Sequence, residues 1–355
     1  MGFEINPYDL CVANKIINGT QFTICWYVDD LKLSHMSENI VKEIIAKIEE
    51  HYGKMTVTHG NKHTYVGMDI YFPGNREVKI SMIDYLKEFI IALGEDCSAA
   101  ANTPAGSRIF DSDPDGTLLN ENKRKTLHII VAKLLFVAMR SRPDIQVTTA
   151  YLSSRVTKVD EDDWKKLKRM LQYINGTIDM VMTLSIDDMS ILKTWIDASY
   201  AVHDDMRSHT GANITMGKGT LYARSTKQKL NTKSSAKAEL VGASDVCPQA
   251  LWTAYFIEAQ GYKIRDNDLY QDNMSAMSME KNGRKSAGQK LRHINIRYFF
   301  IKDKVQNGEL NILHCPTDKM IADFFTKPLQ GAIFKLFKDI IMGIKYFSCL
   351  DSPNQ

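Results

Sequence analysis

The stretch Thr194-Trp195-Ile196-Asp197-Ala198-Ser199-Tyr200 decides how this chain is read. An apolar, β-prone run (Ile191, Leu192, Trp195, Ile196) delivers one carboxylate to its end and a small-residue turn follows, so Asp197 is expected to project from a strand. Alone, an aspartate after a strand is more often a turn-former than a ligand. Three more acids follow in suitable elements: Glu239 inside a helical run, Asp272 at the end of a second short apolar strand, and Asp323 in a late helix. Carboxylates gathered from two strands and two helices suit a two-metal phosphodiester hydrolase.

Working outward, the 355 residues are 44% apolar and 25% charged, an ordinary balance for two or three globular domains. The net charge is +3, so affinity for polyanions has to come from local basic clusters. Six cysteines, at 11, 25, 97, 247, 315 and 349, form no C-x-x-C pair and no zinc spacing with histidine, which favours reduced thiols inside a cell. The longest apolar run, 127–139, carries Lys133 and is too short to span a bilayer, so no membrane partner is expected.

Upstream, 20–33 reads as a hairpin in which Phe22, Ile24, Trp26 and Val28 alternate with smaller or polar residues and Asp29-Asp30 forms the tip. Ser37 can cap a helix with Ile40, Ile44, Ile45 and Ile48 on one face. Residues 65–71 read as one strand and 83–93 as an amphipathic helix. From 96 to 122 the composition turns to Ala, Ser, Pro, Gly and Asp, read as a mobile connection and a subdomain boundary. Residues 123–185 are mainly helical, and 164–174 carries Lys165, Lys166, Lys168 and Arg169 on its outer face. That face is either solvated or lies over a nucleic-acid backbone, with Lys165 and Lys168 as the contacts. Downstream, 191–197, 212–216 and 221–225 form an antiparallel meander, and adding 269–272 and 310–314 gives a mixed five-stranded sheet. Pro248 should kink or split the helix 234–260.

Several strings carry a family resemblance. Tyr27-Val28-Asp29-Asp30 resembles the YxDD signature of reverse transcriptases, and Asn6-Pro7-Tyr8-Asp9-Leu10-Cys11-Val12 resembles the palm segment before it in copia-type retrotransposon polyproteins. Arg142-Pro143-Asp144-Ile145 and Tyr173-Ile174-Asn175-Gly176-Thr177 resemble that family's RPDI and YLKGT-like strings. Asp197-Ala198-Ser199-Tyr200, Ser234-Ser235-Ala236-Lys237-Ala238-Glu239-Leu240, Asp272-Asn273-Met274-Ser275-Ala276, Arg292-His293-Ile294-Asn295-Ile296-Arg297-Tyr298 and Ala322-Asp323-Phe324-Phe325-Thr326-Lys327-Pro328-Leu329 resemble its DADW, SSTEAEY, DNQSA, KHIDIRYHF and ADILTKPL strings. Ala236-Lys237 stands where the family usually has Thr-Glu, which alters the charge beside Glu239.

The resemblance covers nearly the whole chain and implies an α+β, or mixed α/β, protein. A reverse-transcriptase palm fragment is expected at 1–95, a linker and helical thumb at 96–185, a ribonuclease H-like domain at 186–328, and a closing helix and tail at 329–355. It implies that Asp197, Glu239, Asp272 and Asp323 are catalytic and hold two Mg²⁺ ions, or Mn²⁺, which as hard cations favour carboxylate oxygens. Asp29 and Asp30 would be inherited metal ligands of a polymerase site. The implied reaction is endonucleolytic hydrolysis of RNA in an RNA–DNA hybrid, recognised through its 2′-hydroxyls. Arg207, Ser208, Ser225, Lys227, Gln228 and Asn273 are the candidates for substrate contact, and each is also readable as plain surface. His314 is expected as a buried strand residue rather than a mobile catalytic one.

Only 26 residues precede Tyr27, too few for the fingers and a third aspartate, so the chain is expected to begin inside the palm and not to polymerise by itself. Two other readings stay open: a degenerate remnant that binds hybrid without cutting it, and an assembly subunit completing another Pol segment or a second copy. The resemblance implies a cytoplasmic virus-like particle, with nuclear access as an extension.

Overall fold

The computed structural model describes residues 1–282 and 292–350. Its first piece is an antiparallel meander, β1 (Glu4–Asn6), β2 (Asp9–Ile17), β3 (Thr20–Tyr27) and β4 (Asp30–Ser34), covered by helix α1 (Glu38–Tyr52). Phe22 packs there on Ile44 and Ile48, a small core of its own and the packing face that the isoleucine spacing implies. Tyr27 pairs with Asp30, so the turn is Val28-Asp29 and Asp30 already belongs to β4. This differs from the expected Asp29-Asp30 tip. Val28 sits at φ +56°, a left-handed conformation that a β-branched residue adopts only at a cost.

Next come β5 (Lys62–Tyr65), β6 (Met68–Tyr71), β7 (Glu77–Ser81), α2 (Ile83–Leu93), α3 (Glu121–Ala138), α4 (Gln146–Arg155), α5 (Glu161–Gly176) and β8 (Met182–Ile186). The single strand expected at 65–71 is instead a hairpin, because Val66 and Gly67 both take positive φ (51° and 73°) and reverse the chain. The expected mobile connection at 96–122 is packed: Cys97, Ala105, Ile109 and Phe110 are buried in the main core. Distant side chains bond its backbone, with Asn175 donating to the Cys97 carbonyl and Gln330 to that of Ala105. Lys166 and the Tyr151 hydroxyl both donate to the Asp111 carbonyl. An irregular segment can be buried when its peptide groups find partners in this way.

Two strings far apart in sequence meet here. The Arg142 guanidinium makes a buried two-point bond to Asp144 (2.9 and 2.8 Å) and donates to the Thr177 hydroxyl and carbonyl, while the Tyr173 hydroxyl donates to Asp144. Each of these polar groups is satisfied, which is the condition for burying a charge pair.

The last piece holds β9 (Ile191–Ser199), β10 (His209–Thr215), β11 (Gly217–Lys218), β12 (Tyr222–Lys227), α6 (Ser235–Ala259), β13 (Asp266–Gln271), α7 (Met274–Asn282), α8 (Arg292–Gln306), β14 (Asn311–His314) and α9 (Gly331–Ile341). Its five-stranded sheet runs β12-β10-β9-β13-β14, antiparallel from β12 to β9 and parallel from β9 to β14. One face, with Ile196, Ala212, Leu269 and Ile312, packs on Leu240, Ala243 and Val246 of α6. On the other face Trp195 stacks between Tyr270 and Phe347 (ring centroids 4.9 and 5.0 Å) and joins the main core. β11 leaves this sheet to pair with β8, extending the sheet β5-β6-β7-β8.

Three local expectations are corrected. Helix α6 runs unbroken through Pro248, whose ring is exposed, and Arg224 donates to the Asp245 carbonyl one turn earlier (2.9 Å). Asp323 lies in a 3₁₀ turn, Ile321–Phe325, because Pro328 disfavours helical geometry at the preceding Lys327. His314 ends β14 but is exposed rather than buried.

Candidate metal centre

The sheet register sets the site. Tyr270 of β13 lies beside Trp195 of the parallel β9, so two residues further on Asp272 comes level with Asp197. Glu239 sits in the second turn of α6, whose Gly242 lies against Ile196 and Thr210, bringing the helix start over the end of β9. One carboxyl oxygen from each of Asp197, Glu239 and Asp272 lies within 4.8 Å of the others. Asp29 and Asp30, exposed on the first hairpin, belong to no such group among the described residues.

Asp323 approaches Asp197 from the opposite side, and a glycine makes this possible. Gly211 is the cross-strand partner of Asp197, and a Cβ there would stand 2.6 Å from Thr326 Cγ2 and 2.7 Å from the Ala322 carbonyl oxygen. The missing side chain lets the 3₁₀ turn lie on the sheet. From that turn the Thr326 hydroxyl donates to Asp197 Oδ2, and Lys327 Nζ is 2.7 Å from Asp323 Oδ1 and 3.8 Å from Asp197 Oδ2.

Burial and mutual repulsion dominate the electrostatics. Asp197 and Glu239 are 3% and 4% exposed, and burial pushes both carboxyls up, Glu239 well above its usual range with Asp197 and Asp272 adding to it. Asp323 is pushed up to about 7, first by burial and then by the charge of Asp197. Glu239 Oε2 is buried without a hydrogen-bond partner among the described residues. Crowded carboxylates with an orphaned buried oxygen fit a hard divalent cation, which takes oxygen ligands and offsets their repulsion.

A second set of contacts braces the site. The His203 ring lies 3.0 Å from that of His209 (Nε2 to Nδ1), and His209 Nε2 is 2.8 Å from Ser225 Oγ, which donates to the Phe325 carbonyl. Since the serine proton goes to the carbonyl, His209 Nε2–H must donate to the serine and its Nδ1 must accept from His203. His209 is then neutral, and burial, the largest cause, holds His203 down to about 4 and His209 well below its usual value, so both rings are uncharged at neutral pH. Gln271, immediately before Asp272, donates to the buried Glu280 (2.8 Å) and anchors that strand end.

Similarity to curated proteins points to one kind of relative, and the homologues of this chain are retrotransposon Pol polyproteins. The Retrovirus-related Pol polyprotein from transposon TNT 1-94 of Nicotiana tabacum is 24% identical over 94% of this chain and 25% of its own length. Its counterpart from transposon RE2 of Arabidopsis thaliana is 30% identical over 68% of this chain and 17% of its own length. The Transposon Ty1-BR Gag-Pol polyprotein of Saccharomyces cerevisiae, at 23% identity over 90% of the chain, extends these Pol relatives to yeast. The chain spans between 17% and 25% of the length of the plant Pol polyproteins it matches. No protein-family model matches the chain, and no solved structure is a significant match to it. Among the described residues, no helix is long and apolar enough to cross a membrane.

The candidate nucleic-acid contacts are placed unevenly. Ser208 and Gln228 are buried, Ser208 accepting from the Ala201 N–H and Gln228 donating to Thr210 and the Ala238 carbonyl. Ser225 is committed to the histidine chain. Arg207 and Lys227 both reach Asp205, and Asn273 accepts from the Ala276 N–H at the start of α7. On α5, Lys165 is exposed while Lys168 is paired with Glu95 at 2.8 Å. Sequence reasoning missed His203, His209, Gly211, Thr326 and Lys327. Thr326 and Lys327 lie within the ADILTKPL-like string, but only Asp323 was given a role there, and a lysine four residues after an acid is too common a pattern to single out.

Proposed function

We propose that this chain is a segment of a retrotransposon Pol polyprotein that hydrolyses the RNA strand of an RNA–DNA hybrid with divalent metal ions. The observation that carries the reading is the convergence of Asp197, Glu239 and Asp272 within 4.8 Å, with Asp323 beside them. The sheet order, with three antiparallel strands continued by two parallel ones, supports a ribonuclease H-like arrangement of residues 186–328. In this reading 1–95 is a palm fragment, 96–185 the connection and thumb, and 329–355 the closing helix and a tail whose last residues, 351–355, lie outside the described residues.

Asp197, Glu239 and Asp272 would hold one Mg²⁺ or Mn²⁺ ion, and Asp197 with Asp323 a second. When bound, such ions supply an activated water and neutralise charge on the departing 3′ oxygen. The chain's own residues do the rest. Thr326 fixes the Asp197 carboxylate, Gln271 anchors the strand end before Asp272, and the histidine chain fixes the turn that carries Asp323. Arg207, Lys227 and Asn273 are the proposed contacts to the hybrid, with Lys165 to its backbone. An RNA–DNA hybrid and other Pol segments are the proposed partners, in a cytoplasmic particle.

The test is cleavage of an end-labelled RNA–DNA hybrid with Mg²⁺. The wild-type chain should cut the RNA strand, and Asp197→Asn or Asp272→Asn should lower the rate by about 10³-fold, since each removes charge worth several kcal/mol in the transition state. Retention of the hybrid by the wild-type chain with no products would overturn the nuclease and leave a binding remnant.

A further inference from the structure

The two proposed metal positions are not equivalent. Around Asp197, Glu239 and Asp272 the carboxyl oxygens face one another, and Glu239 Oε2 is buried without a partner. Between Asp197 and Asp323 the chain has placed its own cation. Lys327 Nζ is 2.7 Å from Asp323 Oδ1 and 3.8 Å from Asp197 Oδ2. The placement is built in from the backbone: the Lys327 N–H bonds the Asp323 carbonyl (2.9 Å), putting the ammonium four residues along and facing back on its acid. Thr326, the residue before it, holds the Asp197 oxygen that Lys327 faces. The lysine side chain is 39% exposed, whereas those of Asp197 and Asp323 are 5% and 12% exposed. Its flexible stem can therefore swing into solvent while the acids stay in place.

We propose that Lys327 is a tethered counter-cation occupying the second metal position, so that an ion loads first on Asp197, Glu239 and Asp272 and a second enters only as Lys327 leaves. This rests on the reading of the four acids as metal ligands. An ion entering between Asp197 and Asp323 has to displace an ammonium that is already paired, so its apparent affinity is lowered by the strength of that pairing. The displaced lysine remains on a short tether at the mouth of the site, where a phosphate of the hybrid would be its next partner.

The experiment is titration of the full chain with Mn²⁺, followed by calorimetry and by the electron paramagnetic resonance signal of the free ion. The wild type should show one tighter and one weaker site. Lys327→Met, which keeps the stem and removes the charge, should tighten the weaker site by about fivefold, the scale of a partly exposed ion pair, and change the tighter one, which shares only the more distant Asp197, by less. Lys327→Arg, which keeps the charge, should restore the wild-type pattern, and Lys327→Gln repeats the test should the methionine variant not fold. Superimposable two-site isotherms for wild type and Lys327→Met would overturn the tethered cation and leave the metal reading standing. Absence of Mn²⁺ binding in both would overturn the metal reading itself.

Discussion

His203, within the turn between β9 and β10, and His209, the first residue of β10, lie six residues apart, yet their chain of donors ends on the turn that carries Asp323. Both are neutral in the folded protein, whereas an unfolded histidine takes up a proton near pH 6.5. The folded values are depressed, so the stability they confer is present above pH 6.5 and is lost as pH falls toward about 4, where the unfolded chain binds protons that the folded one refuses. For His203 alone this is on the order of 3 kcal/mol. Asp197, Glu239 and Asp323 act in the opposite sense, because their carboxyls are raised and are relieved of repulsion as pH falls, for Asp323 from about 7 downward. The histidine contribution is therefore measured as a difference. Urea denaturation between pH 7 and 4 should show wild type losing more stability than His203→Gln, and equal losses would remove the neutral pair from the account.

At the scale of elements, Gly211 determines whether the 3₁₀ turn Ile321–Phe325 can lie on the sheet. A Cβ at 211 meets the Ala322 carbonyl at 2.7 Å and the Phe325 carbonyl carbon at 2.9 Å, backbone atoms that cannot rotate away. Gly211→Ala should cost about 1–3 kcal/mol, the usual range for overpacking. It should also weaken the proposed second Mn²⁺ site more than the first, because it moves the turn bearing Asp323 and not the elements bearing Glu239 and Asp272. Thermal unfolding gives the first effect and Mn²⁺ titration the second. An alanine variant with wild-type melting temperature and both sites intact would show that the turn has room to spare. The Val28-Asp29 turn is the contrasting case, since its strain lies on an exposed loop with nothing packed on it.

Over the whole molecule, and among the described residues, the β1–β4 meander with α1 is held to the rest by few hydrogen bonds and by Lys32 over the Phe72 ring. Trp252 donates to the Tyr8 carbonyl (2.9 Å), Asn6 to that of Phe256 (3.4 Å), Gln21 to Gln260 (3.3 Å), and Tyr8 lies on Tyr255. Its own core is small, while the main core joins α2 to α5 with α9 and the turn at 321–325. The first piece should therefore open on its own. Hydrogen exchange should be faster in β1 to β4 than in β9 and β10, with Trp252→Ala accelerating it only there. Uniform protection across both sheets would mean that the chain opens as one unit.

The sequence by itself determined that Asp197 lies near the end of one strand and Asp272 just past the end of another, that Glu239 rides a helix, and that β9, β10 and β12 form a meander, because hydrophobic periodicity and turn residues are local properties. Where it misread the chain, distant groups had changed a local preference. Arg224 bonds a carbonyl in the turn before Pro248, and side chains from α4, α5 and the residue before α9 bond the irregular segment around Ile109. Only the tertiary structure decided that Lys327 would lie between two of the acids and that a glycine opposite Asp197 would admit Asp323. Both depend on which atoms approach within a few ångströms across strands and turns, and distance in space is not written in residue spacing.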